Sequence, residues 1–438
     1  MACPLRTYPL RQPRNYKPLI PRWQLVLPAG VERLFTCCVL TSACSRTPAT
    51  MTSSKSTQLF RLGLMEDEDP PLANERFNYL DGDDLPGTSI WVCYWNDEAR
   101  GKRSLQRLSL PSIHSSLPEN VRMNVGLWTE SFLTPISRLE TNYSGLDYLP
   151  GLAKLPGTKT AEHELTAYWG AARDRIPESA HDLFEQDDAA QGSRPETTPK
   201  GLGQHLVGTN YDHMVHIRSG QFWENCGPEE IESYENNLEP TLRNGLGYLW
   251  DNRNDGGAMG LRYLGNRDEA GHTKKETCGA GFFTSLQTLE EWAKKHKSHL
   301  AIFLGAIKHA KTFGNERKFR TWHEVSVLKK GEASFEYVNC LPTTGFHVNR
   351  ENTMVLDSKP THDGCSSVRR EARICLPRAA CGHFYIYRGL TIRTGVTGLP
   401  PVVVRYPEDR LGRRSEVPAG VDISAEIPSE SMSLGTPT

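Results

Sequence analysis

Two histidines in apolar surroundings are the residues of this sequence best suited to chemistry. The first, His299, precedes an apolar stretch over residues 300–307, so its imidazole would lie against a hydrophobic wall. Such a setting suits the axial ligand of a haem, because the porphyrin must itself be buried. On the residues alone, a core histidine bonded to a backbone carbonyl is the better explanation.

The second candidate, His323, lies in a segment with the alternation of a strand. Side chains alternate along a strand, so His323, Val325 and Val327 share the inward face, opposite Trp322 and its alternate neighbours. Burial beside valines disfavours the imidazolium and keeps the ring neutral unless a carboxylate pairs with it. A group of this kind is a candidate general acid–base, and a packing role stays open.

Two arginines, Arg173 and Arg175, flank Asp174 and form a third candidate group. In extended geometry both would face the same side, so one could serve a buried anion or polar substrate while the other pairs with a carboxylate. A surface ion-pair cluster is the alternative. Histidine pairs at 296/299 and 213/216 lack a third ligand nearby, which predicts ordinary histidines rather than zinc ligands.

Charge and composition limit the classes of partner. The 438-residue chain holds 51 basic and 52 acidic residues, so no net field points to nucleic acid or to an anionic membrane. Apolar residues make up 37%, and no window reaches the roughly 18 uninterrupted apolar positions that a membrane span needs. We therefore expect a soluble protein with a small-molecule partner and with neither nucleic acid nor a membrane.

Cysteines and prolines indicate the compartment. The eleven cysteines are an odd number without a C-x-x-C pair, which predicts free thiols in a reducing environment rather than disulfides or a zinc site. Thiolate ligation of a haem stays open. Six prolines within the first 28 residues argue against an amphipathic transit helix, and no apolar segment with a cleavage site follows. We expect a cytoplasmic protein.

Acidic and turn-rich segments divide the chain into three predicted parts. These are a partly irregular N-terminal segment over 1–66, a domain over 67–357, and a largely disordered C-terminal tail over 358–438. Residues 24–58 show neither helical nor strand periodicity and predict a loop. The polar stretch 186–204 predicts a surface loop as well.

Local patterns predict several elements of the domain. Strands are predicted at 90–95 and 214–217, the second ending at Arg218. Helices are predicted at 229–238, ended or kinked by Pro240, and at 285–295, capped by Thr284 and Gln287. Segments 322–328 and 334–340 alternate around 329–333, which predicts a hairpin. Mixed helices and strands without a repeated strand–helix–strand rhythm or a Gly-rich phosphate loop indicate an α+β fold and disfavour a nucleotide cofactor.

Eight short motifs are spread over most of the chain. They are Tyr16-Lys-Pro-Leu-Ile-Pro-Arg-Trp23, Cys93-Tyr-Trp-Asn-Asp-Glu98, Glu140-Thr-Asn-Tyr-Ser144, Tyr168-Trp-Gly-Ala-Ala-Arg-Asp-Arg-Ile-Pro177, His216-Ile-Arg-Ser-Gly-Gln-Phe-Trp223, Ser298-His-Leu-Ala-Ile-Phe303, His323-Glu-Val-Ser-Val327 and Phe335-Glu-Tyr-Val-Asn-Cys-Leu-Pro-Thr-Thr-Gly345. Each alone is weak, but in this order they resemble the haem-containing aldoxime dehydratases, including the phenylacetaldoxime dehydratases. Between residue 23 and about 77, and after 357, the chain departs from that family.

The resemblance implies a role for each candidate residue. The family's axial histidine falls on His299 and its distal histidine on His323. Its distal serine falls on Ser219. Its distal arginine falls on Arg175, with Arg173 as the alternative.

The resemblance also implies the reaction and the cofactor. An aldoxime loses water to become a nitrile, R-CH=N-OH to R-CN plus water, with the oxime nitrogen bound to ferrous haem b. The distal histidine would protonate the leaving oxygen and then accept the C–H proton. Glu140 would hydrogen-bond that histidine and keep it protonated, and the serine and arginine would hold the oxime oxygen.

The fold implied by the resemblance consists of ferredoxin-like repeats in a dimeric α+β barrel-like core, with haem between sheet and helices; a homodimer is compatible with it. Two alternative functions stay open. Another haem enzyme on the same fold, such as a peroxidase-like one, would keep His299 and use the distal residues for a different substrate. A haem-free, non-catalytic relative would result if the N-terminal segment prevented haem uptake. Retention of all five family residues favours the dehydratase, because a binding module needs no distal acid–base pair.

Overall fold

The computed structural model describes residues 6–18, 21–43, 64–65, 68–187, 201–348 and 357–360. Contacts divide the chain into residues 1–364 and 365–438, and the second unit lies wholly outside the described residues. Among the described residues, no helix is long and apolar enough to cross a membrane.

Fourteen strands of the described chain form one sheet, and every neighbouring pair is antiparallel. The strands are β1 (Arg22–Val26), β2 (Arg33–Ala43), β3 (Ala73–Gly82), β4 (Ser89–Trp95), β5 (Val125–Pro135), β6 (Leu139–Tyr143), β7 (Lys159–His163), β8 (Gln204–Thr209), β9 (Val215–Phe222), β10 (Ala258–Arg267), β11 (Thr273–Phe283), β12 (Arg320–Val327), β13 (Ala333–Val338) and β14 (Asp357–Pro360). Their order across the sheet is β14-β8-β13-β5-β2-β4-β3-β10-β11-β9-β12-β6-β1-β7.

Helices occupy the connections between strands. They are α1 (Glu98–Arg107), α2 (Leu110–Ser116), α3 (Glu119–Arg122), α4 (Ala171–Arg175), α5 (Pro228–Ser233), α6 (Glu239–Asp251), α7 (Arg253–Gly256), α8 (Leu286–Lys295) and α9 (Lys297–Phe313). A mixture of helices with an antiparallel sheet confirms the predicted α+β class.

The sheet curls so that distant strands meet on its inner face. Tyr94 of β4 donates to Glu324 of β12 at 2.8 Å, although four strands lie between them in the sheet. Phe132 of β5 packs edge-on against Phe282 of β11, with ring centroids 5.9 Å apart. Apolar side chains of both halves of the sheet therefore share one core.

The outer face of the sheet is covered in two places. Helices α1 and α2 bury the outer side of β2, β4 and β5. Helices α6 and α8 bury leucines against β9, β10, β11 and β12. The second of these layers is the one that matters for the site described below.

The expectation that residues 24–58 form a loop is wrong for residues 33–43. Strand β2 lies between β4 and β5 in the sheet. Cys37 faces the outer core and Cys38 the inner one, so both faces of the strand are buried. A strand buried on both sides is apolar throughout and shows no alternation. Residues 44–58 lie outside the described residues.

The predicted domain boundaries stay predictions. Strands β1 and β2 precede the boundary at residue 66 and pair with strands that follow it. Strand β14 crosses the boundary at 357 and pairs with β8. The rest of the tail, and residues 188–200 of the loop expected at 186–204, lie outside the described residues.

The strand predicted at 90–95 is confirmed as β4, but the predicted hairpin between residues 322 and 340 is wrong. Strand β12 pairs with β9 and β6, whereas β13 pairs with β5 and β8. The connection is anchored on Asn210, whose Nδ2 donates to the Lys329 carbonyl at 2.8 Å and whose Oδ1 accepts from the Ala333 amide at 2.8 Å. Alternation identified both strands, but it carries no information on which strands they pair with.

Three element boundaries also differ from expectation. Strand β9 continues past Arg218, because Gly220 leaves the space that the Trp322 indole fills. The chain stays helical from 228 to 251, since a π turn before Pro240 accommodates its missing N–H. Helix α8 has its capping box at Ser285 and Thr288, one residue later than predicted.

His216 gives the fold a dependence on pH. Its ring is 4% exposed and lies between Phe132 and Phe282, with centroid distances of 4.5 and 4.7 Å. Burial, then Arg218 and Arg262, lowers the pKa of His216 to about 3. The unfolded chain therefore binds a proton that the folded chain excludes, so stability is present above about pH 6.5 and is lost as the pH falls towards 3.

We expect this histidine alone to lower the free energy of unfolding by about 1.4 kcal/mol for each pH unit below 6. Urea unfolding at pH 5, 6 and 7 measures the slope. His216→Gln should be less stable at pH 7 yet less sensitive to acid, while His272→Asn at an exposed position should keep the wild-type slope. Equal slopes in wild type and His216→Gln would refute the assignment.

Candidate active site

A cavity of about 730 Å³ lies between the outer face of the sheet and helices α6, α8 and α9. This volume is in the range of sites that bury ligands of drug size, roughly 300 to 1,000 Å³. Its walls are mostly apolar and include Leu238, Leu242, Leu246, Leu249, Leu261, Phe283, Leu286, Leu289, Trp292, Ile302, Phe303, Ile307, Phe319 and Val325. Polar side chains line the cavity from the sheet, among them Asn142, Ser219, Gln221, Thr321 and His323, and from the surrounding helices and loops.

The floor of the cavity is a row of β12 residues flanked by two other strands. Thr321, His323 and Val325 face the cavity, as their alternation predicted. Strand pairing places Ser219 of β9 opposite His323 on one side and Asn142 of β6 opposite it on the other. Directly paired residues on one face have Cβ atoms about 5 Å apart. His323 therefore has two polar neighbours within the sheet.

His299 lies on the opposite wall, in the first turn of α9. His296 caps this helix by accepting the Ser298 amide on its Nδ1, so α8 and α9 meet at one residue. Along α9, His299, Phe303 and Ile307 recur at helical spacing and face the cavity. The edges of Trp292 and Trp169 pack against the imidazole, with centroids 4.8 and 6.3 Å away, and fix its orientation.

The residues around His299 fit a haem. Burial lowers the pKa of His299 to about 4, opposed by the Ala293 backbone carbonyl, so the imidazole is neutral at pH 7 and able to ligate iron. Its Nδ1 is buried, with no hydrogen bond of ordinary geometry from the described residues. Nε2 is therefore the nitrogen left open to the cavity. A carbonyl near the second ring nitrogen is a common partner of a metal-bound histidine.

The electrostatics of His323 differ from expectation. Burial, followed by the charges of Arg175, Arg22 and His299, lowers the pKa of His323 to about 3. The imidazole is therefore neutral at pH 7. The resemblance implied that His323 donates a hydrogen bond to Glu140 and is thereby kept protonated. That bond is absent, because the Glu140 carboxylate accepts from Arg175 instead.

Arg175 and Glu140 form a buried ion pair beside the floor. Arg175 Nε donates to Glu140 Oε1 at 2.6 Å, and the side chains are 4% and 0% exposed. Burial raises the pKa of Glu140, against the opposing effect of Arg175. Arg175 lines the cavity while Glu140 lies behind it. The glutamate therefore positions the arginine rather than the histidine.

The same segment decides between the two candidate arginines. Residues 171–175 form the short helix α4 and not an extended strand, so Arg173 and Arg175 point in different directions. Arg173 Nη2 pairs with Glu290 at 2.8 Å and does not line the cavity. Arg175 is the one brought to His323 and Ser219.

Breaking the Arg175–Glu140 pair should destabilise the protein strongly. Glu140→Ala leaves a buried guanidinium without its partner, which costs about 3 to 5 kcal/mol of unfolding free energy. Arg175→Ala should have an effect of similar size, and the double variant should lose far less than the sum. Chemical unfolding of the four proteins tests this. Additive losses would show that the pair is not coupled.

Sequence reasoning missed several polar residues of the cavity, among them Asn142, Gln221, Arg22 and Arg317. Asn142 and Gln221 lie in the Glu140 and Ser219 motifs, two positions after the predicted residue, and the strand period of two brings them to the same face. That signal was available. Arg22 lies on β1, and its Nη1 donates to Thr321 Oγ1 of β12 at 3.2 Å. Nothing local in the sequence linked Arg22 to β12.

Comparison with known proteins identifies the class. The model of the haem-containing dehydratase family matches residues 45–346, which is most of the chain, so the protein belongs to that family. The match also shows that the expected departure between residues 23 and 77 is wrong for 45–77.

Within this class the chain is similar to aldoxime dehydratases. It is 31% identical over 259 residues to the phenylacetaldoxime dehydratase of Bacillus sp. (strain OxB-1), covering 59% of this chain and 73% of the relative. It is 28% identical over 348 residues to the aliphatic aldoxime dehydratase of Pseudomonas chlororaphis, covering 79% and 95%. A crystal structure of aldoxime dehydratase in complex with butyraldoxime superposes with a TM-score of 0.67 at 26% identity, covering 78% and 93%.

Proposed function

We propose that this protein is a lyase that converts aldoximes to nitriles, with haem as its cofactor. Family membership and the similarity to named aldoxime dehydratases support this function. The observation that carries it within the structure is the pairing of His299 and His323 on opposite walls of one apolar cavity. A neutral imidazole on the helix side is suited to hold iron, and one on the sheet side is suited to move protons.

We assign His299 of α9 as the residue that would ligate the iron of haem b in this cavity. When bound, ferrous haem supplies the centre to which the oxime nitrogen binds, which polarises the N–O bond. The apolar leucines of α6 and α8 line the cavity and would exclude water from the bound group. Exclusion of water strengthens the electrostatic interactions of the polar floor.

His323 acts on the two protons that the reaction moves. Hydroxide is a poor leaving group. His323, which is neutral in the free protein, would first take up a proton and then donate it to the oxime oxygen, which leaves as water. The resulting neutral imidazole accepts the proton from the oxime carbon, and the proton balance is restored. The side chain lines the cavity, which leaves the imidazole accessible to a substrate bound there.

Ser219 and Arg175 position the oxime oxygen. The Ser219 hydroxyl lies beside His323 across the β9–β12 pairing, and Arg175 approaches from α4, held by Glu140. Their hydrogen-bond donors orient the leaving oxygen towards the imidazole. This placement lowers the activation barrier, because the entropy cost of orientation is met when the substrate binds. Glu140 is a positioning residue in this scheme.

The finer features of the fold and setting are part of the same proposal. The curled antiparallel sheet with helices on its outer face supports a barrel-like core of ferredoxin-like repeats, and such cores pair as homodimers. A cytoplasmic location is part of the same proposal, since buried thiols such as Cys37, Cys93 and Cys278 persist in a reducing compartment.

One experiment tests the function. The purified protein is examined for a Soret band, reduced with dithionite under nitrogen, and given phenylacetaldoxime or butyraldoxime while nitrile is measured by chromatography. We expect a Soret band and nitrile formation only after reduction. A Soret band without nitrile would favour another haem activity, and the absence of haem after reconstitution would favour a non-catalytic relative.

A further inference from the structure

Two arginines of the cavity, Arg22 and Arg317, have no carboxylate partner among the described residues. Arg317, which follows α9, is 7% exposed, and its Nε donates to His309 Nδ1 at 3.3 Å. Arg22 donates to Thr321 Oγ1. Both line the cavity. In the part of the chain that the structure describes, neither forms an ion pair with a carboxylate.

Neighbouring acids are engaged elsewhere. Glu230 accepts the backbone amides of Lys318 and Phe319 at 3.0 and 2.8 Å. Asp147 pairs with Arg320, with Nη2 and Oδ2 2.9 Å apart. The other cavity arginines have their own partners, since Arg175 binds Glu140 and Arg11 binds Glu290.

The positive charges of Arg22 and Arg317 repel each other. Burial, then Arg317, Arg175 and Arg320, lowers the pKa of Arg22 to about 9. Burial and Arg320 lower that of Arg317 to about 10, despite Glu230. Glu290, the acid that lines the cavity, pairs with Arg11, so a bound anion would compensate the two positive groups.

The position of the pair suggests which anion. Arg22 donates a hydrogen bond to Thr321. Thr321 lies two residues before His323 on β12, so these two residues are roughly 7 Å apart along the strand. The walls beyond, formed by leucines of α6 and α8, are apolar. A haem matches this arrangement of positive charge beside apolar walls, because its flat apolar ring carries two carboxylates on one edge. Guanidinium groups bind carboxylates by paired, charge-assisted hydrogen bonds.

We propose that Arg22 and Arg317 bind the propionate carboxylates of the haem and so set the orientation of the ring between His299 and His323. This inference rests on the haem-dependent function proposed above. Through Arg22, strand β1 would contribute to the site, although it precedes the domain predicted over residues 67–357. A carboxylate carried by the substrate would present the same chemistry to the same arginines.

Haem dimethyl ester tests the proposal without any substitution. Haem-free, full-length protein is titrated with haem or with its dimethyl ester, and the dissociation constants are obtained from Soret absorbance. We expect wild-type protein to bind the ester about 10- to 100-fold more weakly. Arg22→Met and Arg317→Met should weaken haem binding by about tenfold each and leave ester binding unchanged.

Arg243→Met is the matched control, because it removes an arginine of α6 that is already paired with Glu239. It should change neither constant, and circular dichroism should show all variants folded. Equal affinity of wild type for haem and ester would overturn the inference while leaving the function intact. If wild type preferred a carboxylated aldoxime over its neutral analogue, lost that preference in both variants and bound ester as well as haem, the site would belong to the substrate. Failure of wild type to bind haem at all would overturn both proposals.

Discussion

Replacing His299 by alanine should give a folded protein that no longer retains haem. The imidazole is the nitrogen base that α9 presents to the cavity, held by Trp292 and Trp169 and kept neutral by burial. Loss of an outer partner of a metal ligand weakens binding by about 10- to 100-fold, so loss of the ligand itself should exceed about 100-fold. The haem content of the purified variant, measured by the pyridine haemochrome method, gives the result.

Two further measurements make this prediction specific. Added imidazole should enter the space left in His299→Ala and restore a Soret band. His296→Asn keeps a good helix-capping residue three positions away and should retain haem at the wild-type ratio. A His299→Ala protein with full haem content and unchanged spectrum would show that another group holds the iron.

His323→Ala should keep its haem and lose nearly all turnover. The residue lies on the sheet wall, across the cavity from His299. Positioned acid–base groups contribute about 100- to 10,000-fold to rate, and kcat should fall by that amount. The control is His205→Asn, which should remain active. It removes a histidine of β8 that pairs with Glu336 of β13. Full activity of His323→Ala would disprove the acid–base assignment.

The pH profile tests how His323 works. Its pKa of about 3 leaves the ring neutral in the free protein, so it must gain a proton before it can donate one to the leaving oxygen. Because the lowered pKa makes the protonated form rarer as pH rises, kcat/KM should increase from pH 8 to pH 6, by up to about tenfold per unit. A profile that is flat or falls with acidification over this range would show that the neutral ring starts the reaction.

Much of the site could be predicted from local sequence. The alternation of residues 322–328 placed His323 and Val325 on one face, and the apolar stretch after His299 predicted that its imidazole lies against a hydrophobic wall. Both depend on neighbours within a few residues, so periodicity is enough to reveal them. Asn142 and Gln221 were accessible to the same argument, because each lies two positions from a predicted residue on the same strand.

Other features depend on segments far apart in the chain. The partner of Glu140 is Arg175 and not His323, and the two arginines of the 173–175 segment separate because that segment is a helix. Strand β2 was missed because burial on both faces removes alternation. Arg22 joins the site only through the pairing of β1 with β6 and its contact with Thr321.

The sequence by itself determined the α+β class and which two histidines face an apolar environment, because these follow from the spacing of neighbouring side chains. Only the tertiary structure decided that His299 and His323 lie on opposite walls of one cavity, that Glu140 holds Arg175, and that Arg22 and Arg317 form no ion pair with a carboxylate of the described residues. The physical reason is that charge partners and strand partners are chosen by register and burial between distant segments, and a local pattern of residues contains neither.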